Sequence, residues 1–314
     1  MEWREAAALL REWDDILILT HRRPDGDTIG CAVALCCALQ NLGKRAWVLE
    51  NPDTSGLFTR YLEGVLAPDG FAPKKVVSVD MASLGLLPGN AKGYRETIDL
   101  AIDHHPSNEG FAKETCLEAD KAACGEIVYK IVKELGEVTP EIALPLYLAV
   151  STDTGCFVYS NTTPNTHRVA ADLLEVGIDY KGVNKRHFRT KSLKRLKLEA
   201  MLLEGMHLYW EDTVVVAAVT LDMVARLQAT EEDLEDIAAF LGQIEGVRHA
   251  VTIRELRPGE CKLSLRTAAD LDASRVCALL GGGGHAAAAG CTVSGTPEEA
   301  EQAMVEAIRT VKEG

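Results

Sequence analysis

Apolar positions along this chain fall into short runs separated by longer helical patterns. Runs at 15–20, 46–50, 75–80 and 98–102 predict strands. Between and after them, 2–13, Cys31–Leu42, Cys124–Leu135, the segment 143–150 begun by Pro140 and Glu141, and Asn165–Glu175 predict helices. Gly43 and Gly177 act as stops. Strand and helix in alternation predict an α/β fold over residues 1–188, a mainly parallel sheet with helices on both faces. Ser192–Tyr209 reads as one long helix, placed in a helical linker over 189–211. From Thr213 the pattern changes. A strand at Val214–Val219, an amphipathic helix at Glu231–Leu241 and a hairpin, His249–Leu256 with Glu260–Arg266 around Arg257-Pro258-Gly259, come first. Helix Ala273–Leu280, strand Cys291–Ser294 and helix Pro297–Lys312 follow, predicting a smaller α/β domain with a mixed sheet over 212–314.

Three of the first four strands deliver Asp or His at or just beyond their carboxyl ends, where open α/β sheets place their ligand crevice. The first runs into His21-Arg22-Arg23-Pro24-Asp25-Gly26-Asp27, the third ends on Asp80, and the fourth runs into Asp103-His104-His105-Pro106. The segment 143–150 leads to Asp153. Consecutive strand residues point to opposite faces, so His104 and His105 are expected to have different tasks. His21, Asp25 and Asp27 form a mixed nitrogen and oxygen set suited to Mn²⁺ or a similar divalent ion. An ordinary Asp-Gly turn with capping carboxylates reads equally well from that stretch alone. The constellation favours ligation: His21, Asp25, Asp27, Asp80, His104 and Asp153 suffice for two ions sharing one bridging carboxylate. Such a pair stabilises the entering and leaving oxygens of a phosphoryl displacement without a serine, cysteine or lysine nucleophile.

A second feature is Gly281-Gly282-Gly283-Gly284-His285, which suits close backbone approach to a phosphate or nucleotide. It is neither a P-loop nor a dinucleotide fingerprint. Arg254 and Arg266, at opposite ends of the hairpin, are candidates to hold phosphate oxygens, or plain surface residues. A net charge of −14 excludes an overall basic surface for duplex DNA. No apolar run approaches a membrane span, the charged amino terminus lacks the core of a signal peptide, and nine scattered cysteines show no C-x-x-C pair. A reducing cytoplasm is expected. Lys181, Lys185, Arg186, Arg189, Lys194, Arg195 and Lys197 make the most basic stretch.

These motifs resemble the DHH phosphoesterase superfamily. His21…Asp25-Gly26-Asp27 is similar to its first motif, Asp80 to its second, Asp103-His104-His105 to its third and Asp153 to its fourth. Gly282-Gly283-Gly284-His285-x-x-Ala288-Ala289-Gly290 is similar to the glycine signature of the DHH-associated C-terminal domain. The resemblance implies that His21 and Asp25 hold one ion, that Asp27, His104 and Asp153 hold the other, and that Asp80 bridges. It implies that His105 faces the substrate phosphate, that Asp103 orients an imidazole, and that Gly283, Gly284, His285, Arg254 and Arg266 bind substrate. Cys31 stands where a serine is frequent, a change expected to affect packing more than chemistry. Neither a further exonuclease domain nor a membrane or sensory segment preceding the motifs is expected. The compact oligoribonuclease group therefore fits best: Mn²⁺ preferred over Mg²⁺ or Co²⁺, and short single-stranded oligonucleotides or 3′-phosphoadenosine-5′-phosphate as substrates. A soluble phosphodiesterase for cyclic or linear dinucleotides and a non-catalytic nucleotide-binding protein are the alternatives. A homodimer is compatible with the sequence.

Overall fold

In β1 (Ile16–Leu19) successive side chains leave on opposite sides of the strand, and both sides are buried. Ile16 and Ile18 join one apolar cluster, Leu17 and Leu19 another. This accounts for a wholly apolar strand, because a parallel sheet covered on both faces has no solvent side. The computed structural model describes residues 1–234 and 237–313. Contacts divide the chain into two units, Met1–Thr190 and Lys191–Gly314.

The first unit is built on a five-stranded parallel sheet. β1 is joined by β2 (Ala46–Val48), β3 (Lys75–Val79), β4 (Leu100–Asp103) and β5 (Glu114–Leu117) in the order β2-β1-β3-β4-β5. The chain moves outward from β1 in one direction to β2 and in the other to β3, so a crevice opens between β1 and β3 at their carboxyl ends. The first face packs with α1 (Trp3–Glu12), α2 (Gly26–Asn41), α4 (Cys124–Leu135) and α5 (Pro140–Asp153). The short α3 (Gly56–Thr59) precedes β3, and α6 (Pro164–Glu175) and α7 (Tyr180–Phe188) follow α5. The opposite face is covered around Met81, Leu87 and Ala91 by two short 3₁₀ turns, 84–86 and 89–94.

The start of α2, the edge strand β5 and the end of the helix over 192–209 depart from the sequence expectation. α2 begins at Gly26, not Cys31, because the Asp25 carboxylate caps it by accepting from the Asp27 and Thr28 amides at 3.0 and 3.2 Å. β5 has no clear apolar signature because its residues are polar and partly exposed at a sheet edge. The long helix over 192–209 is instead α8 (Leu193–Glu204), capped by Ser192 and ended at Gly205, followed by β6 (His207–Tyr209). The segment 189–211 is thus, from Lys191 on, part of the second unit.

That unit carries a six-stranded mixed sheet. β7 (Val214–Val219), β8 (His249–Arg257), β9 (Glu260–Thr267), β10 (Gly283–His285) and β11 (Ala288–Ser294) join β6 in the order β10-β11-β9-β8-β7-β6. Only β7 and β8 among these pairs run parallel. α12 (Ala273–Ala278, after α9 Leu221–Leu227, α10 Glu231–Leu234 and α11 Ile237–Phe240) and α13 (Pro297–Glu313) pack against one cluster. α8 and α11 pack against the other face. The helix expected over 231–241 is described as α10 and α11, and residues 235 and 236 lie outside the described residues. No helix among the described residues is long and apolar enough to cross a membrane.

The packing of α7 sets an acid response. His187 stacks on Phe58 with ring centres 5.4 Å apart, and its Nε2 lies 2.9 Å from the Tyr61 hydroxyl. Burial, with Arg186 and Arg60 nearby, pushes its pKa down to about 4. The unfolded chain takes up this proton near pH 6.5, the folded one not until about pH 4. Its contribution is therefore full above pH 6.5 and is lost as pH falls toward 4. Urea midpoints should fall more steeply across that window for the wild type than for His187→Gln. Equal slopes would mean that the folded imidazole already carries the proton.

Candidate metal centre

Five elements converge on the crevice between β1 and β3. β1 runs into His21, β3 into Asp80 and β4 into His104 and His105; α2 brings Asp27, and Asp153 ends α5. Asp80 takes a left-handed backbone, φ 54°, which aspartate tolerates better than most residues. His21 Nε2 lies 3.6 Å from both Asp25 Oδ1 and Asp80 Oδ2. His104 Nε2 lies 3.4 Å from Asp80 Oδ1, 3.6 Å from Asp153 Oδ2 and 3.9 Å from Asp27 Oδ2. The six residues expected as ligands therefore form two groups, His21-Asp25-Asp80 and Asp27-His104-Asp153, and Asp80 reaches both. His105 closes a third group with Asp80 and His104.

The imidazoles are oriented from behind. His21 Nδ1 lies 2.9 Å from the Arg22 carbonyl and His104 Nδ1 3.1 Å from the Lys121 carbonyl. A carbonyl only accepts, so each Nδ1 carries the hydrogen and each Nε2 is directed into the cluster. Asp103, fully buried, accepts from His105 Nδ1 at 2.7 Å, from the His104 and His105 amides, and from Asn108 Nδ2 at 2.6 Å. It is the neighbouring imidazole of His105 that Asp103 orients.

Asp27 is held by a feature with little sequence signal. Its carboxylate accepts from the Cys124 amide at 2.7 Å and the Gly125 amide at 2.9 Å, at the start of α4. Cys31 Sγ also donates to Asp27 Oδ1 at 3.2 Å. The expectation that Cys31 matters mainly for packing is therefore corrected, since its thiol touches a candidate ligand. Asn108 went unassigned too, although it lies three residues beyond His105. Asn108→Ala leaves an Asp103 oxygen without that partner, and the expected result is a ~10–100-fold fall in kcat with KM nearly unchanged. Steady-state kinetics decide this, and an unaltered kcat would refute the coupling.

Electrostatics tests whether divalent ions fit. Burial opposes protonation of His21, yet the Asp25 and Asp80 carboxylates outweigh it and lift its pKa to about 11. His104 is lifted to about 10 against burial by Asp80, Asp27 and Asp153. Burial raises Asp153 to about 7, with His104 opposing and Asp80 adding to it. Burial, then Asp80 and Asp153, push Asp27 well above the carboxylate range, while His104 and His21 hold Asp80 below it against burial. A concentrated negative field is thus met either by protons or by cations. Asp80 Oδ1 is buried without a hydrogen-bond partner. The converging donor atoms stand 3.4–3.9 Å apart. That lies between the roughly 3.0 Å of adjacent and roughly 4.2 Å of opposite ligands around an octahedral ion with bonds of roughly 2.1 Å. The residues fit a divalent-ion centre.

In the second unit the expected substrate residues share one face. Arg266 lies opposite Ala250, and Arg254 is four residues further along β8, about 13 Å away by strand rise. Arg254 is forked onto the Glu231 carboxylate. Gly283, Gly284 and His285 form the exposed edge strand β10. The glycines there are explained partly by pairing: a Cβ on Gly284, at φ 147°, would lie 2.6 Å from the Ala288 carbonyl oxygen.

Residues 15–150 match the DHH family, N-terminal domain, and residues 211–313 the DHHA1 domain. The bifunctional oligoribonuclease and PAP phosphatase NrnA of Thermus thermophilus is 33% identical over 94% of this chain and 89% of its own length. The chain belongs to the DHH phosphoesterase family. As a DHH protein with a fitting ligand set, it is a metal-dependent hydrolase. The DHH fold is also matched by an exopolyphosphatase-related protein from Bacteroides fragilis, with TM-score 0.90 and 23% identity over 99% of this chain and 96% of that one. The exonuclease RecJ bound to manganese has TM-score 0.51 and 15% identity over 99% of this chain and 94% of that one.

Proposed function

We propose that the chain hydrolyses short single-stranded oligonucleotides to mononucleotides and removes a phosphate from 3′-phosphoadenosine-5′-phosphate, using two divalent ions. The observation that carries this is Asp80, a buried carboxylate with one oxygen toward His21 and the other toward His104. His21 and Asp25 hold one ion, Asp27, His104 and Asp153 the other, with Asp80 between them. When bound, the ions supply positive charge to the phosphoryl oxygens during displacement. His105 adds its own contribution: its hydrogen bond to Asp103 raises its pKa and so favours the imidazolium, whose Nε2 would donate to a phosphate oxygen. Asp103 positions that ring and does not meet the substrate. In the second unit Arg254, Arg266, Gly283, Gly284 and His285 bind the nucleotide; residues 212–314 act as the substrate-binding domain and residues 1–188 as the catalytic domain.

The name of the Thermus relative supports the substrate class, and the net charge of −14 favours short substrates over a long strand or a duplex. Two imidazoles among the carboxylates favour Mn²⁺ over Mg²⁺. The nine free cysteines suit a reducing cytoplasm. Hydrolysis of a short RNA ladder, linear and cyclic dinucleotides and 3′-phosphoadenosine-5′-phosphate tests the proposal. Mononucleotides from the short RNAs are expected with Mn²⁺. Chelation should abolish turnover, and Mn²⁺ should restore more of it than equimolar Mg²⁺. Turnover of the cyclic dinucleotide alone would reassign the substrate, and nucleotide binding without any turnover would overturn the activity.

A further inference from the structure

On the α13 face of the second unit's sheet, a depression of about 320 Å³ opens among Trp210, Thr213, Arg248, His249, Asp270 and Lys312. Its volume is at the lower end of the range for small-molecule sites. Strand alternation separates it from the face of Arg254 and Arg266. His249 shares its side with Val251 and Ile253, which cluster with Met304 and Ile308 of α13. Ala250, opposite Arg266, packs with α8 and α11 instead.

His249 is only 1% exposed, and neither of its ring nitrogens has a hydrogen-bond partner. Its closest carboxylate oxygen, Asp270 Oδ2, stays 3.5 Å from Nε2, while Asp270 Oδ1 is engaged by Arg248 at 3.0 Å. Burial, reinforced by Lys312 and Arg248 against the pull of Asp270, lowers the His249 pKa and so favours the neutral imidazole. It therefore offers one N–H and one lone pair. Buried polar groups are nearly always paired, so two unpaired nitrogens lining a depression point to a ligand. Trp210 supplies an aromatic surface, with Lys312 Nζ 5.2 Å from its ring centre. The turn Trp210-Glu211-Asp212 holds three successive left-handed residues, φ 48°, 53° and 64°. Arg248 and Lys312 are exposed at the rim, balanced by Asp270 and Glu211.

An indole, a neutral imidazole with a free donor and a free acceptor, and two rim cations complement a heteroaromatic base bearing an anion. We propose that this depression is a second, non-catalytic site for a nucleoside 5′-monophosphate. The base lies against Trp210 and His249, and the phosphate lies between Arg248 and Lys312. Because the rim carboxylates cancel the cations, phosphate alone binds weakly and the base contributes much of the affinity. That the ligand is also a reaction product rests on the function proposed above; the recognition chemistry does not.

Calorimetry of the full chain with adenosine 5′-monophosphate, adenosine and inorganic phosphate, without added metal, tests the site. Tryptophan fluorescence is followed in parallel. The monophosphate should bind at least tenfold more tightly than either fragment, with a fluorescence change that Trp210→Phe removes. Arg248→Ala combined with Lys312→Ala, both exposed positions away from the core, should weaken binding at least tenfold. His285→Ala, which alters the substrate site proposed above, should leave the Trp210 fluorescence change unaltered. No binding, equal binding of inorganic phosphate, or loss of that fluorescence change in His285→Ala would each overturn the proposal. Retained binding by a chain that hydrolyses no substrate would support this site while refuting the proposed activity.

Discussion

Asp80→Asn should lower turnover by on the order of 10³-fold or more while the cooperative unfolding transition persists. The substitution keeps the shape of the side chain and a residue type that accepts the left-handed backbone at φ 54°. What changes is the charge that faces both His21 and His104. Asparagine still offers an oxygen, but as a neutral amide it is a poor bridge between two dications. Metal titration should therefore show weaker or fewer bound ions in the variant, and circular dichroism should be unchanged. Asp80→Ala adds backbone strain to the same loss and is expected to be less stable than Asp80→Asn. Retention of more than a tenth of wild-type turnover by Asp80→Asn would exclude Asp80 as the shared ligand.

The second large effect is structural and lies one helical turn beyond Asp27. A Cβ on Gly30 would lie 2.2 Å from the Pro145 carbonyl oxygen and 2.8 Å from Ala149 Cβ. α2 and α5 therefore meet almost backbone to backbone at this point, and no rotamer change relieves the overlap. Gly30→Val should destabilise the fold by ~3 kcal/mol or more, at the upper end of overpacking effects. It should also reduce activity beyond the loss of folded protein, since the helices it separates carry Asp27 and Asp153. Gly89→Ala is the control: nothing lies within 4 Å of its added Cβ, and it should stay within about 0.5 kcal/mol of wild type. Chemical denaturation and specific activity at matched folded fraction measure both parts. A Gly30→Val chain with wild-type stability would refute the close approach.

Strand ends were readable in the sequence where a change in polarity coincided with a change in geometry. Val79 to Asp80 and Ile102 to His104 each cross from a buried run to a ligand position within two residues. The α2 start was misplaced because Gly26 and Asp27 are weak helix residues in isolation; the Asp25 cap overrides that local preference. β6 was hidden because His207-Leu208-Tyr209 continues an apparently helical run, and only the end at Gly205 separates them. Contacts made across the fold had no local signature at all. The amides of Cys124 and Gly125 reach Asp27 across 97 and 98 residues, and backbone groups carry no residue code. The Trp210 depression was equally silent, because its parts come from the β6–β7 turn, the start of β8, the loop after β9 and the end of α13.

The fork between Arg254 and Glu231 has a consequence for the response to ionic strength. A phosphate group that engages this guanidinium must first displace a carboxylate of the same chain. Dissolved salt weakens both the internal pair and the incoming one, so the two effects partly cancel. Substrate affinity gained through Arg254 should accordingly vary little with salt concentration, and Glu231→Gln should make it both tighter and more salt-sensitive.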